Sequence, residues 1–347
     1  TDTASTSTLI ALAAAREAAG LRAAADGLAA RAAGGLPAVY ASTEAHSSVE
    51  KACMTLGLGR AALRRSPADD DYAMRVDLLA NAIAEDRAAG VVPTAIVATI
   101  GTTSSTSVDP VAAIADVAGR EGAWLHVDAA YAGAVALVPA RRGPFAGWER
   151  ADSIVVNPHK WLFTPLDASL FLGRRMDVVR TAFSLVPEYL RTLDHERPVH
   201  DFAEYQPQLG RRMRALKLWM QLRYFGLAGM RRRIDAHCRL AAQLAAAVDA
   251  EPDFERLAPT PFSTVCLRWR PAELAGREDE PEVRARLDAA NERLMAAVNA
   301  TGEVFLSHTR LRDRFTIRVA IGNLRTEARH VERAWELLRR EAAALEA

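Results

Sequence analysis

The sequence predicts an α/β protein in which a large domain, built on a mostly parallel sheet, is followed by a smaller α+β domain. The first indication is a series of short apolar runs, TAIVATI (94–100), AWLHVDAA (123–130) and SIVVN (153–157), without the alternation of a half-exposed strand. Helical patterns between such runs are the second, as in VAAIADVAGREG (111–122), which Gly122 closes. The third is a change of pattern beyond Gly226, where long helices flank two or three strand-like runs.

In chain order, residues 8–18 have helical composition and stop near Gly20, and a second Ala-rich helix is expected to about residue 33. AVYAS (38–42) is a short strand-like run, and ASLFLG (168–173) ends the strand series of the large domain. A long helix over about 227–250 opens the smaller part. STVCLRWRP comes next, then a helix over about 282–301, VFLSHTRLRDRFTIRVAIG, and a last helix from about residue 326. The expected domains are therefore 1–226 and 227–347. The chain begins TDTASTST, a hydroxyl-rich loop running straight into a helix with no preceding strand, which reads as a start inside a domain.

The 44 Lys and Arg nearly balance 43 Asp and Glu, so charge gives no case for nucleic acid or an anionic membrane as partner. No apolar run approaches the ~18–20 residues of a membrane span, and the first residues lack the basic start of a secretory signal. Cys53, Cys238 and Cys266 are scattered, with no pairing that suggests a disulfide framework or a zinc site. No metal is expected, and a reducing cytoplasm is the expected compartment.

Ligands of parallel sheets bind beyond the carboxyl ends of the strands, which singles out the polar residues there. Lys160 stands directly behind a strand in NPHKW, between bulky His159 and Trp161, a setting that would hold and desolvate a Schiff-base lysine. Asp128 lies near the end of an apolar strand in HVDAAYAG, a costly place for a carboxylate without a cation. A protonated pyridine nitrogen would be such a cation; a helix cap or an arginine partner reads equally well. Thr3, Ala4 and Ser5 open a helix whose N-terminus suits a phosphate, or is simply capped. His46, in STEAHSSVEKA, has the shape to stack on a pyridine ring, or is structural.

Together, HVDAAYAG, NPHKW, AHSSVEKA and ATIGTTSSTSVD resemble the group II decarboxylases dependent on pyridoxal 5'-phosphate (PLP), and most closely the aromatic-L-amino-acid decarboxylases. LGRRMRALKLW, LRDRFTIRVAI and HVERAWELL extend the resemblance over nearly the whole chain. It implies PLP fold type I, a homodimer with its active site at the subunit interface, and amino-acid decarboxylation. By the same resemblance Lys160 carries the cofactor and Asp128 pairs with the pyridine nitrogen, while His46 stacks on the ring with Ala130 against its other face. Thr3, Ala4, Ser5, Asn157 and His159 would hold the phosphate end, and Thr103 would lie beside the ring. Tyr189, in VPEYLRT, matches a loop tyrosine implicated in protonating the carbanion; related aldehyde synthases typically have phenylalanine there. Ser263 matches a small position associated with indole versus phenol preference, and serine leans phenolic. Family members carry roughly a hundred or more residues before the point where this chain starts, a region that supplies part of the pocket and of the dimer interface. Decarboxylation of an acidic substrate such as glutamate, and oxidative aldehyde formation, stay open as alternatives.

Overall fold

The apolar runs of the first half pair into a six-stranded sheet of β1 (Pro37–Ser42), β2 (Leu63–Ser66), β3 (Val92–Thr99), β4 (Trp124–Asp128), β5 (Ser153–Val156) and β6 (Leu170–Gly173). Their order is β2-β1-β3-β4-β5-β6. All neighbours are parallel except β5 and β6. Every residue of β4 and all but the first of β3 are buried, which is why these strands show no alternation. The strand β2, Leu-Arg-Arg-Ser, gave no signal in the sequence. It is an edge strand with partly exposed arginines, and such strands need little apolar surface.

The computed structural model describes residues 1–28, 35–185 and 201–346, and these fall into two units. The first unit comprises Thr1–Ile100, Asp109–Ala134 and Arg142–Tyr224. Its helices are α1 (Ala4–Ala18), α2 (Ala23–Asp26), α3 (Ser48–Thr55), α4 (Val76–Ala88), α5 (Val111–Glu121), α6 (Pro158–Trp161) and α7 (Met176–Phe183). Helix α1 starts four residues before the composition suggested, because Thr3 caps it. Its small side chains Ala11 and Ala13 to Ala15 are fully buried, so the helix lies close against its neighbours, with Ile10 and Leu12 in one cluster with Val39, Val97 and Trp124. The second expected helix is cut short: α2 ends at Gly27, whose φ of 68° breaks the helical path, and residues 29–34 lie outside the described residues. Gly122, at φ 65°, closes α5 as its sequence indicated.

The second unit comprises Gly101–Val108, Val135–Arg141 and Phe225–Ala347. Helix α8 (Ala215–Asp249) is broken at Gly226 (φ 63°, ψ 166°), so helical structure is present before the expected start as well as after it. Four strands form an antiparallel sheet in the order β7-β8-β10-β9: β7 (Phe254–Arg256), β8 (Thr264–Trp269), β9 (Ser307–Leu311) and β10 (Arg314–Ala320). Three-residue β7, with only Phe254 buried, was too short to read from sequence. Val265, Leu267 and Trp269 of β8 and Phe315, Ile317 and Val319 of β10 share one face. They form a core with Leu294 and Val298 of α9 (Pro281–Ala300) and Leu337 and Leu338 of α10 (Ala328–Glu346). On the other face, Cys266 Sγ and Arg318 Nε donate to the Ser104 carbonyl at 3.4 and 2.8 Å, tying the 101–108 segment to this sheet. No helix among the described residues is long and apolar enough to cross a membrane.

Candidate active site

At the carboxyl end of β4, Asp128 is almost fully buried and its Oδ1 accepts the Ala130 N–H at 3.0 Å. The Ala130 carbonyl in turn accepts the Asn157 N–H at 2.9 Å, and the Asn157 carbonyl accepts the Lys160 N–H at 3.0 Å. The ends of adjacent strands β4 and β5 are thereby locked together through the residues that the sequence singled out. Gly133 permits this close approach, since a Cβ there would stand 2.5 Å from Val156 Cγ2 on β5.

Pro158 begins the single turn α6 directly after β5, where its missing N–H and fixed φ suit a helix start. Two residues later stands Lys160. Trp161 is fully buried and stacks on Tyr131, with ring centroids 4.7 Å apart and an interplanar angle of 9°, which ties the turn to the segment that follows β4. Lys160 keeps accessible surface along its side chain, yet the protein around the amine removes enough water to push its pKa below the ordinary lysine value, against the opposing charge of Asp128. Desolvation also lowers the His46 pKa; Asp128 works to raise it and Lys160 to lower it, so the three groups lie within electrostatic reach of one another. His46 Nδ1 accepts the Ser48 N–H at 3.1 Å, which leaves the proton of the neutral ring on Nε2.

The expected phosphate end is tied to the same turn. His159 Nδ1 accepts the Ala168 N–H at 2.9 Å, and the next residue, Ser169, has its Oγ 3.2 Å from Ser7 Oγ of α1. The Ser169 N–H also donates to the Thr1 carbonyl at 3.2 Å. At the start of α1, the Thr3 N–H goes to Asp2 Oδ1 (2.7 Å) and the Thr6 N–H to Thr3 Oγ1 (3.5 Å). Among the described residues the amides of Ala4 and Ser5 remain as the open donors of the first turn. Among the described residues Asn157 Oδ1 is buried with no hydrogen-bond partner, the kind of orphaned polar atom that a bound group would satisfy.

The structure thus brings together Asp128, Ala130, Asn157, Lys160 and His46, and links His159 to the start of α1 with Thr3, Ala4 and Ser5. Thr103 is exposed on the 101–108 segment of the second unit and is not among the residues joined here. Ser263 is fully buried in that second unit, its carbonyl accepting the Ile321 N–H at 2.8 Å. Tyr189 lies outside the described residues.

Sequence reasoning missed the support beneath Asp128. Two residues earlier on β4, His126 is paired in register with Ser153 of β5 and shares its Oγ with Trp124, with His126 Nδ1 and Trp124 Nε1 each at 2.9 Å. The only available signal was the His-x-Asp spacing, which puts both side chains on one face of a strand. His126 is fully buried, its Nε2 has no partner among the described residues, and desolvation pushes its pKa from 6.5 down to about 4, with Asp128 opposing. Because the unfolded chain binds this proton and the folded chain does not, the stability present above pH 6.5 is lost as pH falls toward 4. A depression of this size is worth about 3 kcal/mol in full. Urea midpoints of the protein and of His126→Asn near neutrality and near pH 4.5 should show a smaller acid loss in the variant; parallel losses would remove His126 as the source.

Residues 1–270 match the family model described as "Pyridoxal-dependent decarboxylase conserved domain". The chain is 40% identical over 343 residues to tryptophan decarboxylase 1 of Oryza sativa subsp. japonica, covering 97% of this chain and 65% of that protein. It is 39% identical over 310 residues to a phenylacetaldehyde synthase of Arabidopsis thaliana, covering 88% of this chain and 62% of the relative. It therefore spans less than two thirds of the length of these curated relatives. The crystal structure of Oryza sativa TDC with PLP and tryptamine superposes with a TM-score of 0.91 at 38% identity, over 99% of this chain and 70% of that one. Mouse CSAD superposes with a TM-score of 0.89 at 29% identity, over 99% and 71%. With its parallel sheet and the Asp128 and Lys160 motifs in place, the chain belongs to the pyridoxal-dependent decarboxylase family, the group II decarboxylases of PLP fold type I.

Proposed function

We propose that this chain supplies the cofactor-binding part of an enzyme that decarboxylates an aromatic L-amino acid, of the tyrosine, DOPA, phenylalanine or tryptophan class, to its amine and carbon dioxide. The observation that carries this reading is the meeting of Lys160, Asp128 and His46 at the ends of parallel strands. Similarity to decarboxylases named for tryptophan and for tyrosine supports the substrate class. The residues fit PLP: an amine shifted toward its neutral, nucleophilic form, a buried carboxylate, an imidazole with pyridine-like shape, and the orphaned Asn157 Oδ1.

PLP, when bound, supplies a sink for the electrons that the departing carboxylate leaves on the α-carbon. Lys160 Nζ is the point of covalent attachment. Asp128 would keep a proton on the pyridine nitrogen, and His46, Ala130 and Thr103 are the residues that would line the ring. Thr3, Ala4, Ser5, Asn157 and His159 are the residues that would hold the phosphate, the first three through the positive end of α1. Tyr189 delivers the proton to the α-carbon that completes the amine. The protein works as a cytoplasmic homodimer with its site at the subunit interface, using residues 1–226 as cofactor domain and 227–347 as the smaller domain.

A second reading, oxidative formation of an aldehyde, is favoured by the likeness to a phenylacetaldehyde synthase. Retention of tyrosine at position 189 favours the amine. The test is product analysis over a panel of aromatic amino acids and glutamate. Amine in equal amount to carbon dioxide is expected from an aromatic substrate, with Tyr189→Phe losing amine yield but not cofactor binding. Aldehyde with hydrogen peroxide, or turnover confined to glutamate, would contradict the proposal.

A further inference from the structure

We infer that Asp167 is a positioning residue for the phosphate end of the cofactor, acting through the short strap 167–169; this rests on the proposed function as a PLP enzyme. Asp167 Oδ2 accepts from Arg214 Nη2 at 3.0 Å, and Oδ1 has Lys217 Nζ at 3.7 Å. Arg214 immediately precedes α8 and Lys217 lies in its first turn. The two cations therefore hold the strap from the α8 side. Side-chain exposures of 17% for Arg214 and 23% for Asp167 make this a half-buried pair, and among the described residues Arg214 Nε is buried without a partner. The Arg214 hydrogen bond holds the Asp167 carboxyl down at about 2, so the charge persists at any working pH.

The two residues after Asp167 touch both elements expected at the phosphate. Ala168 gives its N–H to His159 Nδ1 and takes the His159 N–H on its carbonyl at 3.4 Å, fixing both the ring and the backbone of that residue. Ser169 bonds Ser7 Oγ and the Thr1 carbonyl, fixing where α1 begins. Ala168, Ser169 and Ser7 are all buried, so the strap has no solvent-side slack to absorb a shift. Releasing Asp167 loosens the imidazole and the helix end together, whereas Lys160 and Asp128 are held by separate bonds to Asn157 and Ala130.

The comparison of PLP with pyridoxal, which lacks the phosphate, tests this. Both are titrated into the apo-enzyme by cofactor absorbance, for the wild type, Asp167→Asn and Arg214→Lys. Asp167→Asn is expected to weaken PLP by roughly tenfold, the scale of a lost charge-assisted hydrogen bond, while pyridoxal affinity is unchanged. Arg214→Lys keeps the charge but not the planar fork, and should lose PLP affinity in the same phosphate-dependent way but less. Equal losses for PLP and pyridoxal would make Asp167 a general support of the fold and overturn the inference, as would unaltered PLP affinity in both variants. A wild-type chain that binds no PLP would instead overturn the proposed function on which the inference rests.

Discussion

Lys160→Ala is expected to abolish turnover and to remove the cofactor absorbance that borohydride bleaches, without unfolding the protein. The side chain keeps accessible surface and, among the described residues, no hydrogen bond or ion pair of its amine holds the fold, so truncation leaves little cavity and breaks no hydrogen bond. The turn that carries it is held by other means, namely Pro158, buried Trp161 against Tyr131, and the backbone bond to Asn157. Circular dichroism and thermal unfolding should therefore match the wild type while amine formation falls to background. A variant with normal turnover would show that the nucleophile lies elsewhere.

Asp128→Asn should have the next largest effect. An amide can still accept the Ala130 N–H, so the local geometry survives, but it cannot stabilise a proton on a pyridine nitrogen as a carboxylate does. Losing one such preorganised electrostatic partner in a water-poor site costs about 10²- to 10³-fold in kcat, or roughly 3–4 kcal/mol of barrier. The measurement is kcat at saturating PLP with cofactor occupancy read in the same samples. A drop of less than about tenfold at full occupancy would deny Asp128 its place in the electron-sink role.

Both residues were visible in the sequence for the same reason: each is a charged group in a setting that apolar strands otherwise exclude. The position of Asp128 at the end of a five-residue buried strand, and of Lys160 just beyond a four-residue one, follows from hydrophobic patterning and from the parallel topology it imposes. His126 was not legible in this way, since its meaning depends on register. Only when β4 and β5 align does Ser153 fall opposite His126 and within reach of Trp124. The Asp167–Arg214 pair was hidden for a related reason, because its partners are 47 positions apart and neither belongs to a local pattern. The sheet edge escaped as well: Leu63–Ser66 is no apolar run, and only pairing with β1 makes it a strand. Helix boundaries were legible where a glycine enforced them, as at Gly122 and Gly226, whereas the helical stretch from Ala215 up to Gly226 was not.

Reduction of the PLP-loaded enzyme with borohydride, followed by proteolysis and mass mapping, addresses the central assignment most directly. The expected result is one phosphopyridoxyl group per chain, located on Lys160 within the peptide that contains NPHKW. Attachment to Lys51 or Lys217, or to no lysine at all under conditions where the enzyme turns over, would contradict it.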